Sequence, residues 1–510
     1  MSKNLAICCA DEMMVGRWYK IISIPRYNNC ISCKVTYSCN ANNVFLAHDT
    51  VYIKSTGSFT ITATDIEGNV AIKVINAIEE PNITRDTITY TPTDWETFKI
   101  KVLEYGEYKK IKIPKGEYSF TVDSNELKIS KGTIIDFSDS VINILHSADN
   151  TVYNVFNIVN DYSGIINANF IGNDYKNTSM SEHCCTINIT DGYCCIVKNI
   201  TFKNLAGFNL NIGYSSSFWN FKPDYSSGRW ISSNSFAGYI NPDDGTLISS
   251  EQDWCMKDSV GVLETSDNSF CIGNSDGWIS TGVKIYDIAF YDKNDNFISI
   301  QENNQFFRRY YIPKNALKFR LCIHIKKNKI TDINPADDTC FTRMRDGNTV
   351  SELLIKNIDY VNHASGAVSV TGRCQDIHFE NIKCIGNGWK NAWNFDFEDG
   401  WNAMCNIVLS HCYLIGAVIN HSVQGLSIIS SILDYLNFCN SSYYPTLINC
   451  YVNQIDRGES RGVVTYINSY VGKTNNTVTG NTGDLHIFGE CPAKNNVNLI
   501  KITLQNINKY

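Results

Sequence analysis

Residues 391 to 404 read NAWNFDFEDGWNAM, so three carboxylates, Asp396, Glu398 and Asp399, fall within four positions among Trp393, Phe395, Phe397 and Trp401. Two carboxyl groups held close together against aromatic surface repel each other and lose hydration. One of them is then expected to keep its proton near neutral pH beside an ionised partner. Glycoside hydrolysis needs that pairing of an acid with a base or nucleophile. If the segment is a strand, Phe395 and Phe397 turn to one face and Asn394, Asp396 and Glu398 to the other. Asp396 and Glu398 would then have Cα atoms about 6.5 to 7 Å apart, which suits retention or inversion equally once side-chain reach is included. Asp399 is either a third member or the Asp of an Asp-Gly turn. Trp389 and Trp401 flank the strand and are expected to stack on a sugar ring. The opposing reading is an aromatic core whose carboxylates simply face water.

Ser369 and Thr371 of AVSVTG are expected on the strand before the carboxylates, and Asn420, His421 and Ser422 on the strand after, with Asn437 and Asn440 beyond. Hydroxyl, amide, carboxylate and imidazole groups in one groove suit a polysaccharide chain, which is mostly donors and acceptors. His421 reads as an acid or base, or as a hydrogen-bonded turn residue. Asp376, His378 and Glu380 of DIHFEN form a second polar patch on another face and are the runner-up site. A β-elimination would instead need a basic side chain and a partner for a uronate, for which Arg373, Arg457 and Arg461 are the main candidates.

Such a site needs strands that stack in register. Beyond residue 110 a loose repeat supplies them: GTIIDFS (132–138), GIINANFIG (164–172), IVKNITFKN (196–204), LLIKNIDYV (353–361), DIHFENIKCIG (376–386), NIVLSHCYLIG (406–416), LSIISSILDYL (426–436) and VVTYINSYVG (463–472). After a short turn comes a second strand, as in TINITDG, LNIGY, AVSVTG, NFDFEDG, AVINHS and LNFCNSS. The usual step between repeats is roughly 20 to 32 residues, too short a unit to bury its own apolar face, so each must stack on its neighbours. Inner ladders of Ile, Val, Phe and Cys with turn ladders of Asn and Gly predict a parallel β-helix. An antiparallel sandwich array would show tight two-residue hairpin signals, and few are present.

The stretch TFKIKVLEYGEYKKIKIPKGEYSFT (97–121), followed by LKISKGTIIDFSDSVINIL (127–145), resembles the entry of pectate-lyase-like β-helix proteins, including phage tailspikes and polysaccharide depolymerases. In that family a short helix precedes a strand of the form V-x-V/I-P-x-G-x-Y, matched here by Ile111, Ile113, Pro114, Gly116 and Tyr118. The resemblance covers about residues 90–214 and 346–510 and implies an all-β chain built on a right-handed parallel β-helix. Residues 215 to 340 break the repeat. There IYDIAFYDKNDNFIS (285–299) and RYYIPKNALKFRLCIHI (309–325) resemble a carbohydrate-binding-like β-sandwich of phage and bacterial surface proteins, matched by Ala289, Phe290, Tyr291 and Asp292 and by Ile312, Pro313, Asn315, Ala316 and Phe319. Trp254, Trp278 and Tyr291 are then either its ligand platform or its core. RMRDGN (343–348) is expected to re-enter the helix. DTVYIKSTGSFTITATDIEGNVAIKVINA (49–77) resembles a bacterial Ig-like module. The expected plan is an Ig-like N-terminal attachment or spacer domain over 1–85, β-helix over 90–214, the inserted sandwich over 215–340 and β-helix again over 341–510.

Composition excludes other classes. With 44 basic against 51 acidic residues and a net charge of -7, the 510-residue chain offers no phosphate-neutralising surface, so nucleic acid is not an expected partner. No apolar run is long enough for a membrane helix, and the start lacks the pattern of a secretory signal. Twenty cysteines in such a chain are expected to be reduced and buried. Cys30 and Cys33, with Cys8, Cys9 and Cys39 nearby, lack a second CxxC, so no metal and no cofactor are expected. What the resemblance implies is a tailspike or tail appendage of a virion, made in the host cytoplasm and acting as a homotrimer. Its partners would be a host surface polysaccharide or teichoic acid, and a tail or baseplate protein held through the N-terminal domain. It would cut the glycan with Asp396 and Glu398, or else recognise it as a fibre without activity.

Overall fold

The computed structural model describes residues 5–25, 35–122, 125–146, 153–172, 184–213, 235–261, 269–273, 285–305, 309–311, 313, 315–324, 343–346, 350–363, 366–372, 374–385, 393–397, 404–420, 423–438, 445–456, 464–475 and 486–488. Among them the chain is all-β apart from one helix, Trp95–Tyr105. Its largest element is a 25-stranded sheet running from Asp86–Thr89 to His486–Phe488. The strand pairings of that sheet are parallel, and each repeat pairs with the equivalent strand of the next, a topology compatible with a parallel β-helix.

Register explains why the repeat folds this way. One apolar column runs Ile111, Ile135, Ile165, Val197, Ile355, Phe379, Leu409, Ile428, Leu447 and Tyr466, each the Cα partner of the next. The repeat is shortest and most regular at its far end, where Leu409, Ile428, Leu447 and Tyr466 follow one another at a constant interval. Two further columns, through Phe170, Phe202 and Tyr360 and through Leu210, Val368 and Phe395, close one continuous core. Between the first two columns the backbone bends at Asn167, Asn199, Asn357 and Asn381, all at φ between 55° and 58°. Asparagine tolerates this left-handed conformation better than other non-glycine residues. Each of these side chains also donates to the one below: Asn199 to Asn167 at 2.8 Å, Asn357 to Asn199 at 2.8 Å and Asn381 to Asn357 at 2.9 Å. The expected asparagine turn ladder is therefore present.

The helix closes the first end of the stack. Asp94 caps it by accepting from the Thr97 amide at 2.7 Å, and Trp95, Phe98 and Val102 are buried against the first repeats. The inserted segment leaves after Phe208–Gly213 and returns at Val350–Ser351, yet Ile196–Leu205 pairs directly with Leu354–His363, so the column is uninterrupted. Arg343–Asp346, expected to belong to the repeat, instead pairs antiparallel with Ser269–Gly273 inside the insertion. Re-entry therefore comes at Val350–Ser351 rather than at RMRDGN. The described part of the insertion is antiparallel, a six-stranded and a three-stranded sheet.

The N-terminal unit, from Leu5 to Ile78, forms small sheets around a core of its own that includes Met13, Tyr19, Val51, Phe59, Ile61 and Ile75. This unit does not project away as a spacer would. Trp18 and Ala47 pack on Val408, Ile429, Ile448 and Ile467 on the outside of the long sheet. Thr50 and Ser427 hydroxyls meet at 2.8 Å, and Cys194 lies 3.6 Å from the Met14 sulfur.

Candidate functional site

The strand Trp393–Phe397 carries the described half of the carboxylate loop. Phe395 and Phe397 are fully buried in the continuous core, as period two requires, and Asp396 between them turns outward. Its Cα partners are Ser369 in the preceding repeat and Ile419 in the following one. Outward positions of the same column continue through Asn211, Asn188 and Asn157 on one side and, past Ile419, through Asn437 and Asp456 on the other. A polar file thus runs along one side of the stack, its members spaced about 4.8 Å apart by the pairing of parallel strands. Neighbours are already joined: Asn211 donates to Asn188 at 2.8 Å, and Thr190 to Asn157 at 3.2 Å. Tyr435 donates to Asp456 at 3.3 Å.

The file is more enclosed than the sequence implied. Asp396 is 4% exposed and Ser369 1%. Asn394, expected to face out beside Asp396, is fully buried. A bulge between Trp393 and Phe395 rephases the strand. The Asn394 side chain consequently accepts from the Cys384 thiol at 3.0 Å and donates to the Ile415 carbonyl, an internal corner role that makes it unavailable to a ligand. Asn420 pairs with Phe397 in the next strand, which puts its backbone beside the carboxylate strand. Glu398, Asp399, Trp389, Trp401, His421 and Trp278 lie outside the described residues, and Trp254 lies in the strand Leu247–Met256 of the insertion.

Tyr291 is part of the insertion's core. It is 2% exposed, its hydroxyl donates to the Gly245 carbonyl at 2.9 Å, and the Arg320 guanidinium sits 4.7 Å from its ring centre. Ring and polar tip are both engaged in packing, so the residue does not serve as an open sugar platform.

The runner-up patch is covered. Asp376 and His378 are 3% and 5% exposed, because Arg17 and Tyr19 of the N-terminal unit lie over them. Glu352 accepts from the Tyr19 hydroxyl at 2.9 Å and from Arg17 at 3.3 Å. The Tyr19 ring meets the His378 imidazole edge-on at 4.9 Å. Burial, reinforced by the Arg17 charge, pushes His378 down to about 3, so the imidazole is neutral at physiological pH. A second buried cluster lies farther along: Lys20 Nζ is 2.6 Å from Asp49 and 2.6 Å from the Thr446 hydroxyl. Burial alone would raise Asp49, but the Lys20 ammonium and His48 outweigh it and hold the carboxyl well below the usual carboxylate range. Sequence reading missed Arg17, Lys20 and Glu352. The one available signal was two cations inside the otherwise apolar run RWYKIISI.

No protein-family model matches the chain, and no curated protein matches it. Among the described residues no helix is long and apolar enough to cross a membrane, and no group of three or more His, Cys, Asp and Glu is placed to hold a metal ion. Twelve cysteines have described side chains, and eleven of them are buried. Cys30 and Cys33 lie outside the described residues.

Proposed function

We propose that the chain is a tailspike or tail-appendage protein of a phage that binds and cuts a host surface polysaccharide on the outer file containing Asp396. In this reading the long sheet is a right-handed parallel β-helix of the pectate-lyase-like type, the N-terminal unit is an Ig-like module, and the insertion is a carbohydrate-binding-like sandwich. One observation carries it: a file of amides, hydroxyl and carboxylates follows the stack axis, Asn157, Asn188, Asn211, Ser369 and Asp396 on successive strands and, past Ile419, Asn437 and Asp456. A linear ligand of repeating polar units fits such a file, because successive sugar hydroxyls find successive strands. Asp396 is as enclosed as Asp376 and His378, and what favours its face over the runner-up is that the N-terminal unit lies over the latter.

Mechanistically, Asp396 and Glu398 divide the roles of acid and of base or nucleophile, one protonating the glycosidic oxygen while the other activates water or attacks the anomeric carbon. Phe395 and Phe397 fix the strand from beneath, and the pairing with Ser369 fixes it laterally. Incubation of phage-susceptible cell-surface glycan with the wild type and with Asp396→Asn and Glu398→Gln tests this. New reducing ends with the wild type alone support hydrolysis. An unsaturated product would place the chemistry with elimination, and binding without any product would leave a receptor-binding fibre.

A further inference from the structure

We propose that the N-terminal unit is a proton-sensitive cover on the long sheet: docked at neutral pH, it is released in acid and bares the polar face formed by Glu352, Asp376 and His378. The unit is built to move as a body. Its core is separate from that of the stack. It is joined to the first repeat by residues 79–84, which are half-exposed or exposed. The chain is next pinned at Arg85, which donates to the Gly132 and Tyr162 carbonyls at 2.6 and 2.8 Å.

The interface encloses an imidazole that solvent would otherwise reach. His378 sits between the Tyr19 ring, the Arg17 guanidinium and the Glu352 carboxylate, whose Oε2 is 3.4 Å from Nε2. From the cover come Arg17, Tyr19 and the Trp18 backbone, and from the linker Glu80, 3.3 Å from Arg17. From the neighbouring turn comes Glu352, and from its own strand Asp376 and Glu380, the latter paired with Lys356 at 2.7 Å. Asp376, a hydrogen bond with the Trp18 backbone and Glu380 favour an imidazolium, but burial and the Arg17 guanidinium outweigh them. The Glu352 charge is already taken up by Arg17 and Tyr19, so a proton on His378 would be a second buried cation beside the first.

Burial and Arg17 hold the enclosed imidazole down to about 3, whereas an exposed one titrates near 6.5. The released state therefore takes up a proton that the docked state refuses. Docking is at full strength above about pH 6.5 and weakens as pH falls from there toward 3, by about 30-fold between pH 8 and pH 5. Protonation of Asp49, which is held low in the docked state, acts in the same direction at lower pH still.

Cys194 supplies the readout, since it is buried under Met14 at this interface, while Cys412 is enclosed in the stack and reports its unfolding. The full-length protein is exposed to dithiodipyridine, a thiol reagent active in acid, from pH 8 to pH 5. Labelling at each cysteine is read by mass spectrometry and normalised to a free thiol at the same pH. The expected result is a rise of about 30-fold at Cys194 with Cys412 unchanged, and a flat profile in His378→Gln. No rise at Cys194, a parallel rise at Cys412, or an undiminished rise in His378→Gln each overturns the proposal. If His378→Gln does not fold, the comparison of Cys194 with Cys412 in the wild type still decides it.

Discussion

Replacing Lys20 by Met tests how the N-terminal unit is held. The Lys20 ammonium is fully buried and lies 2.6 Å from both Asp49 and Thr446. Asp49 is 6% exposed and also bonds the Thr446 hydroxyl at 3.0 Å, so removing the cation leaves a buried carboxylate with hydroxyl and imidazole partners only. Breaking one side of a buried ion pair costs about 3 to 5 kcal/mol, because the remaining charge keeps its desolvation penalty. Lys20→Met conserves most of the side-chain volume, so little of that loss comes from a cavity. Replacing both members, as Lys20→Met with Asp49→Leu, should recover most of it. Urea denaturation followed by Trp fluorescence reads both variants. The pH dependence gives a second, independent sign. In the wild type Asp49 is held low, so its stabilisation is present above the usual carboxylate pKa and is lost as pH falls through its depressed value. In Lys20→Met the carboxyl is better tolerated protonated, so the Asp49 contribution changes sign and stability should fall less between pH 7 and 5 than in the wild type, where His378 acts unopposed. A loss under about 1 kcal/mol, or an unchanged pH profile, would refute the claim that this pair is desolvated and holds the unit in place.

Two other substitutions probe the stack. Asn357→Ala forfeits a left-handed residue at φ 57° and two ladder hydrogen bonds. It should cost about 2 kcal/mol, whereas Asn357→Gly keeps the backbone geometry and should cost less. Equal losses in thermal melts would contradict the backbone part of that reasoning. Asn209 is fully buried, and among the described residues its amide makes no hydrogen bond. Asn209→Val should therefore be neutral or stabilising, within about 1 kcal/mol, and a loss above about 2 kcal/mol would reveal a partner for the amide.

The stack was legible because its information is local. Phe395 and Phe397 point inward for the reason period two gives, and the asparagines recur where the chain must turn through a left-handed residue. Asn394 was misread because a bulge shifts the alternation by one residue, and nothing in NAWNFDF marks where the bulge falls. Arg343–Asp346 was misassigned because its partner strand, Ser269–Gly273, lies far earlier in the chain, beyond the reach of any local pattern. The docking of the N-terminal unit was invisible for the same reason carried further, since Arg17 meets Glu352 and Lys20 meets Thr446 across 335 and 426 residues. Tyr291 illustrates a different limit. An aromatic in a surface-module motif serves packing or ligand equally well, and only its enclosure by Gly245 and Arg320 distinguishes them.

Product release from polysaccharide extracted from a phage-susceptible host tests whether the file through Asp396 cuts glycan. Reducing ends should form with the wild type and fall by about 100-fold or more in Asp396→Asn, with polysaccharide binding retained in a pull-down. Absence of any cleavage by the wild type, or cleavage by Asp396→Asn at the wild-type rate, would contradict it.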